Sequence, residues 1–136
     1  EDKSNNVILL ERQQRVGKKL LSTGNGRCNL TNTGAFSGHY HGSQPGFPDA
    51  VLAGFTPDDT LRFFDTLGLS VSREYGGRVY PQSNSANSVV DVLRFALMRD
   101  NITVKTSCPA RKIERRGEGF AVLTDEGPPC PTLRRL

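Results

Sequence analysis

The sequence predicts a mixed α/β fold in which strands and helices alternate in an α+β-like order. Three observations carry that expectation. A continuous apolar run, Val7-Ile8-Leu9-Leu10, stands near the start. Two stretches, 56–67 and 86–99, show helical periodicity, and short β-branched runs lie between and beyond them. The bulk composition is that of a globular protein. The 136 residues are 35% hydrophobic and 24% charged, and no apolar run approaches the roughly 20 residues needed to span a bilayer.

The first strand, 7–10, is closed by Glu11 and reads as buried on both faces, which calls for parallel neighbours. Residues 12–21 are basic and weakly periodic, and 33–55, rich in Gly, Ser, Pro and His, reads as irregular connection. A helix begins at Thr56-Pro57-Asp58-Asp59. Thr56 can cap, Pro57 suits the first helical position, and the aspartates face the positive end of the dipole. Leu61, Phe64 and Leu67 form its apolar stripe and Gly68 its stop. Strands are expected at 69–73 and 77–80, around Gly76-Gly77. The second helix runs over 86–99 with Ser85 as cap and Val89, Val90, Leu93, Ala96 and Leu97 on one face. Strands follow at 102–106, 110–114 and 119–124, and the proline-rich "GPPCPTLRRL" reads as a frayed tail.

The net charge is +4, and residues 1–32 hold six basic against three acidic side chains. That excess suits a bound phosphate or a solvated face equally. Cys28, Cys108 and Cys130 form no CxxC or His/Cys cluster, so neither zinc nor a disulfide framework is indicated. Asn29-Leu30-Thr31 and Asn101-Ile102-Thr103 fit the glycosylation sequon, but no signal-peptide pattern accompanies them, and the expected compartment is the cytoplasm.

Two features could carry chemistry. Glu11 ends a strand, where a dinucleotide-binding fold places a carboxylate against ribose hydroxyls about 20 residues beyond a G-x-G-x-x-G turn. Counting back that far from Glu11 falls before residue 1. The alternative is a solvated strand boundary. The second feature is "STGNGRCNLTN", 22–32. Gly24 and Gly26 allow close backbone approach, and Lys18, Lys19 and Arg27 add charge, with Ser22 and Asn29 as short polar groups. Its alternative is a hairpin with Asn25-Gly26 at the tip, which the local evidence slightly favours. No Gly-Lys-Ser/Thr follows, so it is no Walker loop.

Together, "VILLERQQRVGKKLLSTGNGRCNLTN" (7–32), "FTPDDTLRFFDTLGL" (55–69), "GGRVYPQSNSANSVVDVLRFAL" (76–97) and "GEGFAVLTDEG" (117–127) resemble, in order, segments of BaiN/YhiN-type NAD(P)/FAD-dependent oxidoreductases. The resemblance covers about 7–125. It departs from the family in lacking the N-terminal dinucleotide fingerprint and in ending on "GPPCPTLRRL" where the family continues toward an Ala-Thr-Gly-Gly segment. The chain therefore reads as an interior fragment of a longer flavoprotein. Its expected parts are a partial FAD-binding Rossmann-like segment (1–34), part of an inserted domain (35–106), strands returning to the FAD-binding domain (107–127) and an irregular tail (128–136).

The resemblance implies FAD as cofactor, NAD(P)H as reductant and a small organic acceptor as substrate. Glu11 matches the ribose-binding carboxylate. Lys18, Lys19, Ser22, Gly24, Gly26, Arg27, Cys28 and Asn29 match the loop along the pyrophosphate and flavin end. Ala110 stands where a strand backbone meets the adenine, and Arg78 and Pro81 would approach the flavin or its substrate, unless "GGRVYP" is only a tight strand turn. No residue is assigned as catalytic acid or base. His39 and His41 read as surface histidines and Cys28 as a packed thiol. No metal, no membrane and no nucleic acid is expected. The competing readings are a small basic module for an anionic partner such as nucleic acid, and a fragment inactive on its own.

Overall fold

The computed structural model describes residues 5–35, 39–44 and 46–125 in full and the backbone of 130–133. In chain order the elements are β1 (Val7–Leu10), a 3-10 segment (Leu20–Gly26), β2 (Thr31–Asn32), α1 (Phe47–Gly54), α2 (Pro57–Thr66) and β3 (Val71–Arg73). After a short turn come β4 (Arg78–Pro81), α3 (Ala86–Ala96), β5 (Ile102–Lys105), β6 (Ala110–Arg116), β7 (Gly119–Thr124) and β8 (Cys130–Leu133). The mixed α/β class expected from the sequence is the class found. The chain forms two compact units, Glu1–Lys18 with Leu97–Leu136, and Lys19–Ala96.

In the first unit β1 pairs in parallel with β5, in register from Val7↔Ile102 to Leu10↔Lys105. The parallel partner is as expected; burial on both faces is not. Val7 is 46% exposed and Ile8, Leu9 and Leu10 are half-buried, because among the described residues β1 has a strand on one side only. The chain leaving β1 is fixed to the chain leaving β5. The Glu11 N–H donates to Lys105 O, and the Cys108 N–H to Glu11 O, both at 2.9 Å.

β6 and β7 form an antiparallel hairpin turned at Gly117 (φ +58°), and β8 pairs antiparallel with the other edge of β7. That strand corrects the reading of the tail as frayed: Cys130–Leu133 is an element. Local propensity is blind to it because Pro131 lowers any strand score, yet an edge strand tolerates a proline. Arg111 and Asp125 pair across the hairpin at 2.7 Å, which lowers the Asp125 carboxyl and raises the guanidinium.

In the second unit β4 is the centre of an antiparallel sheet, flanked by β2 and β3. Cys28, Leu69, Ala86 and Val89 form a buried cluster, with Leu20, Leu30, Phe64, Val92 and Leu93 packed against it. α1 corrects the reading of 33–55 as wholly irregular. It is only eight residues long, too short for a clear period, although Pro48 in its first turn is a start signal. Phe47 and Val51 on it are 67% and 64% exposed.

α2 begins as expected. Thr56 Oγ1 accepts the Asp59 N–H at 3.1 Å, and Asp59 Oδ2 accepts the Thr56 N–H at 2.9 Å, a reciprocal capping box. α3 opens with Ser85 Oγ accepting the Asn87 N–H at 3.3 Å. It closes at Ala96 instead of 99, and its stripe buries Val89 and Val90. No helix among the described residues is long and apolar enough to cross a membrane.

The hydrogen bond from the Thr56 hydroxyl, with those from the Thr56 backbone and Arg62, holds the Asp59 carboxyl down at about 2. Its folded value lies below the unfolded one, so its contribution is complete above about pH 4 and is lost as the pH falls toward about 2. Urea melts of wild type and Asp59→Ala are expected to differ at neutral pH and to converge at the acid end of that window. Thr56→Ala is expected to cost about 1 kcal/mol through loss of the cap.

Candidate functional site

The segment from Lys18 to Asn32 carries the densest set of candidate residues, and its backbone is unusual. After one 3-10 turn the chain extends at Thr23 (φ −77°, ψ 150°), then turns left-handed at Gly24 (φ 53°, ψ 40°) and Asn25 (φ 55°, ψ 42°). Gly26 (φ 80°) and Cys28 (φ 60°) are left-handed as well. Glycine takes this region without penalty, whereas Asn25 and Cys28 are held there against their Cβ atoms.

Local hydrogen bonds shape the turn. The Ser22 and Thr23 hydroxyls donate to Lys19 O at 2.9 Å and Leu20 O at 2.6 Å. The Arg27 N–H donates to Gly24 O at 3.1 Å and the Cys28 N–H to Thr23 O at 3.0 Å. The hairpin favoured by local sequence is therefore not what forms. Asn25-Gly26 is left-handed, as a hairpin tip requires, but the segment before it is helical and no paired strands flank it.

Two contacts fasten the turn to the unit. The Cys28 side chain, 4% exposed, enters the core cluster, so this cysteine is the packed thiol the sequence suggested. The Leu30 N–H donates to Val79 O at 2.9 Å, leading into the β2–β4 pairing. Arg27 reaches further. Its Nη2 pairs with the Glu74 carboxylate, its Nε donates to Asn84 Oδ1, and its Cζ lies 3.9 Å from the centroid of the Tyr80 ring.

The second unit thus brings Gly24 and Arg27 against Tyr80 of β4, with Asn29 beside Gly24, Cys28 in the core cluster, and Lys19, Ser22 and Gly26 exposed on the same turn. Pro81, at the end of β4, is fully buried. Arg78, at its start, is exposed and its Nε donates to Tyr75 O at 3.4 Å. His39 and His41 are exposed, the latter beside Tyr40 and Phe47 in a local cleft of about 250 Å³.

Glu11, Lys18 and Ala110 belong to the first unit. Glu11 is half-buried and its Oε1 accepts the Gln13 N–H at 2.7 Å. Ala110, exposed, opens β6 opposite Thr124, and Lys18 is exposed.

Glu74, Tyr80 and Asn84 escaped the sequence reading. Glu74 and Asn84 lie 47 and 57 residues from Arg27, and no local pattern reports a pairing at that range. Only "GGRVYPQSN", already matched to a family segment, drew attention to that stretch.

The donors fit an anionic, phosphate-bearing group. Among the described residues neither the Asn29 N–H nor its side-chain amide has a partner, and the neighbouring backbone is exposed and poor in Cβ atoms. Lys18 and Lys19 supply charge nearby in sequence. The second carboxylate oxygen of Glu11 has no partner among the described residues and can accept from a hydroxyl. Among the described residues no three His, Cys, Asp or Glu side chains gather as a metal set.

Comparison with known proteins adds an independent line. The family model described as HI0933-like protein Rossmann domain matches residues 1–130. A 3-dehydro-bile acid delta(4,6)-reductase of Clostridium scindens is 40% identical over 119 residues, 88% of this chain and 29% of that protein. A ribosomal RNA dihydrouridine synthase of Escherichia coli is 28% identical over 116 residues, 85% of this chain and 29% of its own. A protein of the same description from Haemophilus influenzae is 26% identical over 88 residues, 65% of this chain and 22% of its own. The chain thus spans less than a third of the length of these curated relatives.

A Cβ at Gly24 would sit 2.8 Å from the Asn29 nitrogen while φ is +53°, whereas at Gly26 the nearest atom is 3.8 Å away and at Gly54 nothing lies within 4 Å. Gly24→Ala is expected to cost more than the ~1–2 kcal/mol of left-handed strain alone, Gly26→Ala about that strain, and Gly54→Ala close to nothing. Urea midpoints of the three variants rank the effects.

Proposed function

The chain belongs to the HI0933-like Rossmann-domain family, and from that premise we propose that it is the FAD-binding part of a flavin-dependent oxidoreductase. The observation that carries this reading is the exposed left-handed turn 22–29, with unpartnered donors at Asn29, in a chain whose family match spans it. Bound there, FAD would supply two-electron hydride chemistry, drawing on NAD(P)H and delivering to an organic acceptor.

The chain's own part is binding and electrostatics. Glu11 would accept from ribose hydroxyls with the carboxylate oxygen that Gln13 leaves unused. Lys18 and Lys19 would attract the pyrophosphate, while the backbone of Ser22, Gly24, Gly26, Cys28 and Asn29 would line it. The Ala110 backbone would meet the adenine, and Arg78 and Pro81 would stand toward the flavin or substrate. Oriented N–H groups near the ring would stabilise negative charge on it. A cytoplasmic location belongs to the same reading.

The relatives' names bear on the acceptor. A delta(4,6)-reductase and a dihydrouridine synthase both describe adding hydrogen to an unsaturated ring, so an unsaturated ring is the proposed acceptor class. A ring within RNA is a second reading, favoured by the two dihydrouridine synthase relatives. A nucleic-acid module without redox chemistry has less support, since the turn 22–32 holds no aromatic to interleave with its basic residues.

The gene's complete product is expected to be yellow, to release FAD on denaturation, and to oxidise NADH or NADPH when offered a conjugated enone. A colourless product that takes up no FAD would falsify the reading. These 136 residues by themselves contain no G-x-G-x-x-G, so without a helix N-terminus for the pyrophosphate they are expected to bind FAD weakly. Low-micromolar affinity in a flavin titration of this chain would overturn that second expectation.

A further inference from the structure

Arg27 is committed on three sides. Its partners come from β4 and from the turns at its two ends: Glu74 opens the turn between β3 and β4, Tyr80 lies within β4, and Asn84 sits in the turn from β4 to α3. Each is itself fixed. The Glu74 N–H donates to Arg78 O and the Asn84 N–H to Pro81 O, both at 2.8 Å. Tyr80 is 8% exposed. A guanidinium that divides its fork between a carboxylate and an amide oxygen, with its face on a ring, has little freedom left to turn toward a ligand.

The other fastenings of the turn it belongs to are local hydrogen bonds and the core anchors at its ends, Leu20 before it and Cys28 and Leu30 after it. From Ser22 to Asn29 only Cys28 is buried, and the left-handed residues Asn25 and Cys28 resist their own geometry. Between the Leu20 and Cys28 anchors, residues 22–27 would keep only local hydrogen bonds if Arg27 were removed.

We propose that Arg27 is a positioning residue that clamps the 22–29 turn onto β4 through Glu74, Asn84 and Tyr80, and is not a phosphate ligand. Its charge is answered by Glu74, so contacts to a bound dinucleotide fall to the backbone donors and to Asn29. Only that last consequence rests on the proposed function; the clamp is a property of the unit itself.

Cys28 reports on the clamp, and Cys108, also buried but in the other unit, is an internal control. Alkylation by iodoacetamide is followed at each cysteine by mass spectrometry. In Arg27→Ala the turn should open more often and Cys28 react about tenfold faster, with Cys108 unchanged. Arg27→Lys should behave nearly as Arg27→Ala, because an ammonium cannot fork and stack together. Tyr80→Phe, which keeps the ring, should match wild type. Glu74→Gln should accelerate Cys28 partially, and adding it to Arg27→Ala should accelerate nothing further, since both remove one interaction.

A nitrogen-15 NMR signal separates the clamp from general support. The Arg27 Nε–H should exchange slowly with solvent in wild type and faster in Asn84→Ala at unchanged melting temperature. Unchanged Cys28 reactivity in Arg27→Ala, or equal acceleration at both cysteines, would overturn the clamp. FAD titrated into the gene's complete product in parallel tests the other reading: no uptake there beside an intact cysteine signature sinks the flavin assignment and leaves the clamp standing.

Discussion

The second unit depends on the two-sided pairing of β4. Val79 has no exposed surface, faces Thr31 on one side and Arg73 on the other, and its carbonyl takes the Leu30 N–H. That position makes β4 the common reference for everything nearby. Asn32 and Thr33 reach the turn that precedes it, with the Asn32 side-chain amide donating to Gly76 O at 2.9 Å and the Thr33 N–H to Gly77 O at 2.8 Å. Gly77 is left-handed (φ +76°), and a Cβ there would fall 2.5 Å from Asn32 Oδ1 and 3.2 Å from Gly34 N, so backbone strain and close approach together favour glycine. The tight β3–β4 turn is thus a docking point for the chain emerging from the candidate site, as well as a reversal of direction.

What could be read in advance follows from the range of the forces involved. α2 and α3 are specified by caps and stripes within a dozen residues, and both start where the sequence placed them. β1 was legible as a strand because four apolar residues stand together, yet its exposure depends on strands far along the chain. β2 has two residues and exists only because β4 lies beside it. β8 owes its existence to the free edge of β7 in the same way. At the candidate site, the turn, its glycines and its charges were visible in order. Their conformation was not, since Asn25-Gly26 prefers a hairpin until Cys28 is drawn into a core made by α2 and α3.

The difference between a counted charge and an available one bears on how such a turn could recognise a ligand. Residues 1–32 hold six basic side chains, but the one central to the turn is occupied by Glu74 and shielded by Tyr80. Of the other five, Lys18 and Lys19 stand nearest in sequence, both exposed and therefore screened over about 10 Å at ordinary salt. Their pull would be long-ranged only in dilute buffer and would discriminate poorly among anions. Selectivity must then come from groups with fixed direction. The Asn29 N–H would qualify, because the fold sets its orientation, at the cost of a left-handed Cys28 before it, ahead of any ligand. A ligand meeting a prearranged turn has little ordering entropy to overcome. On the proposed reading, the carboxylate that cancels Arg27 would strengthen recognition: it gives up one unit of charge and would return an Asn29 N–H that stays where it is aimed.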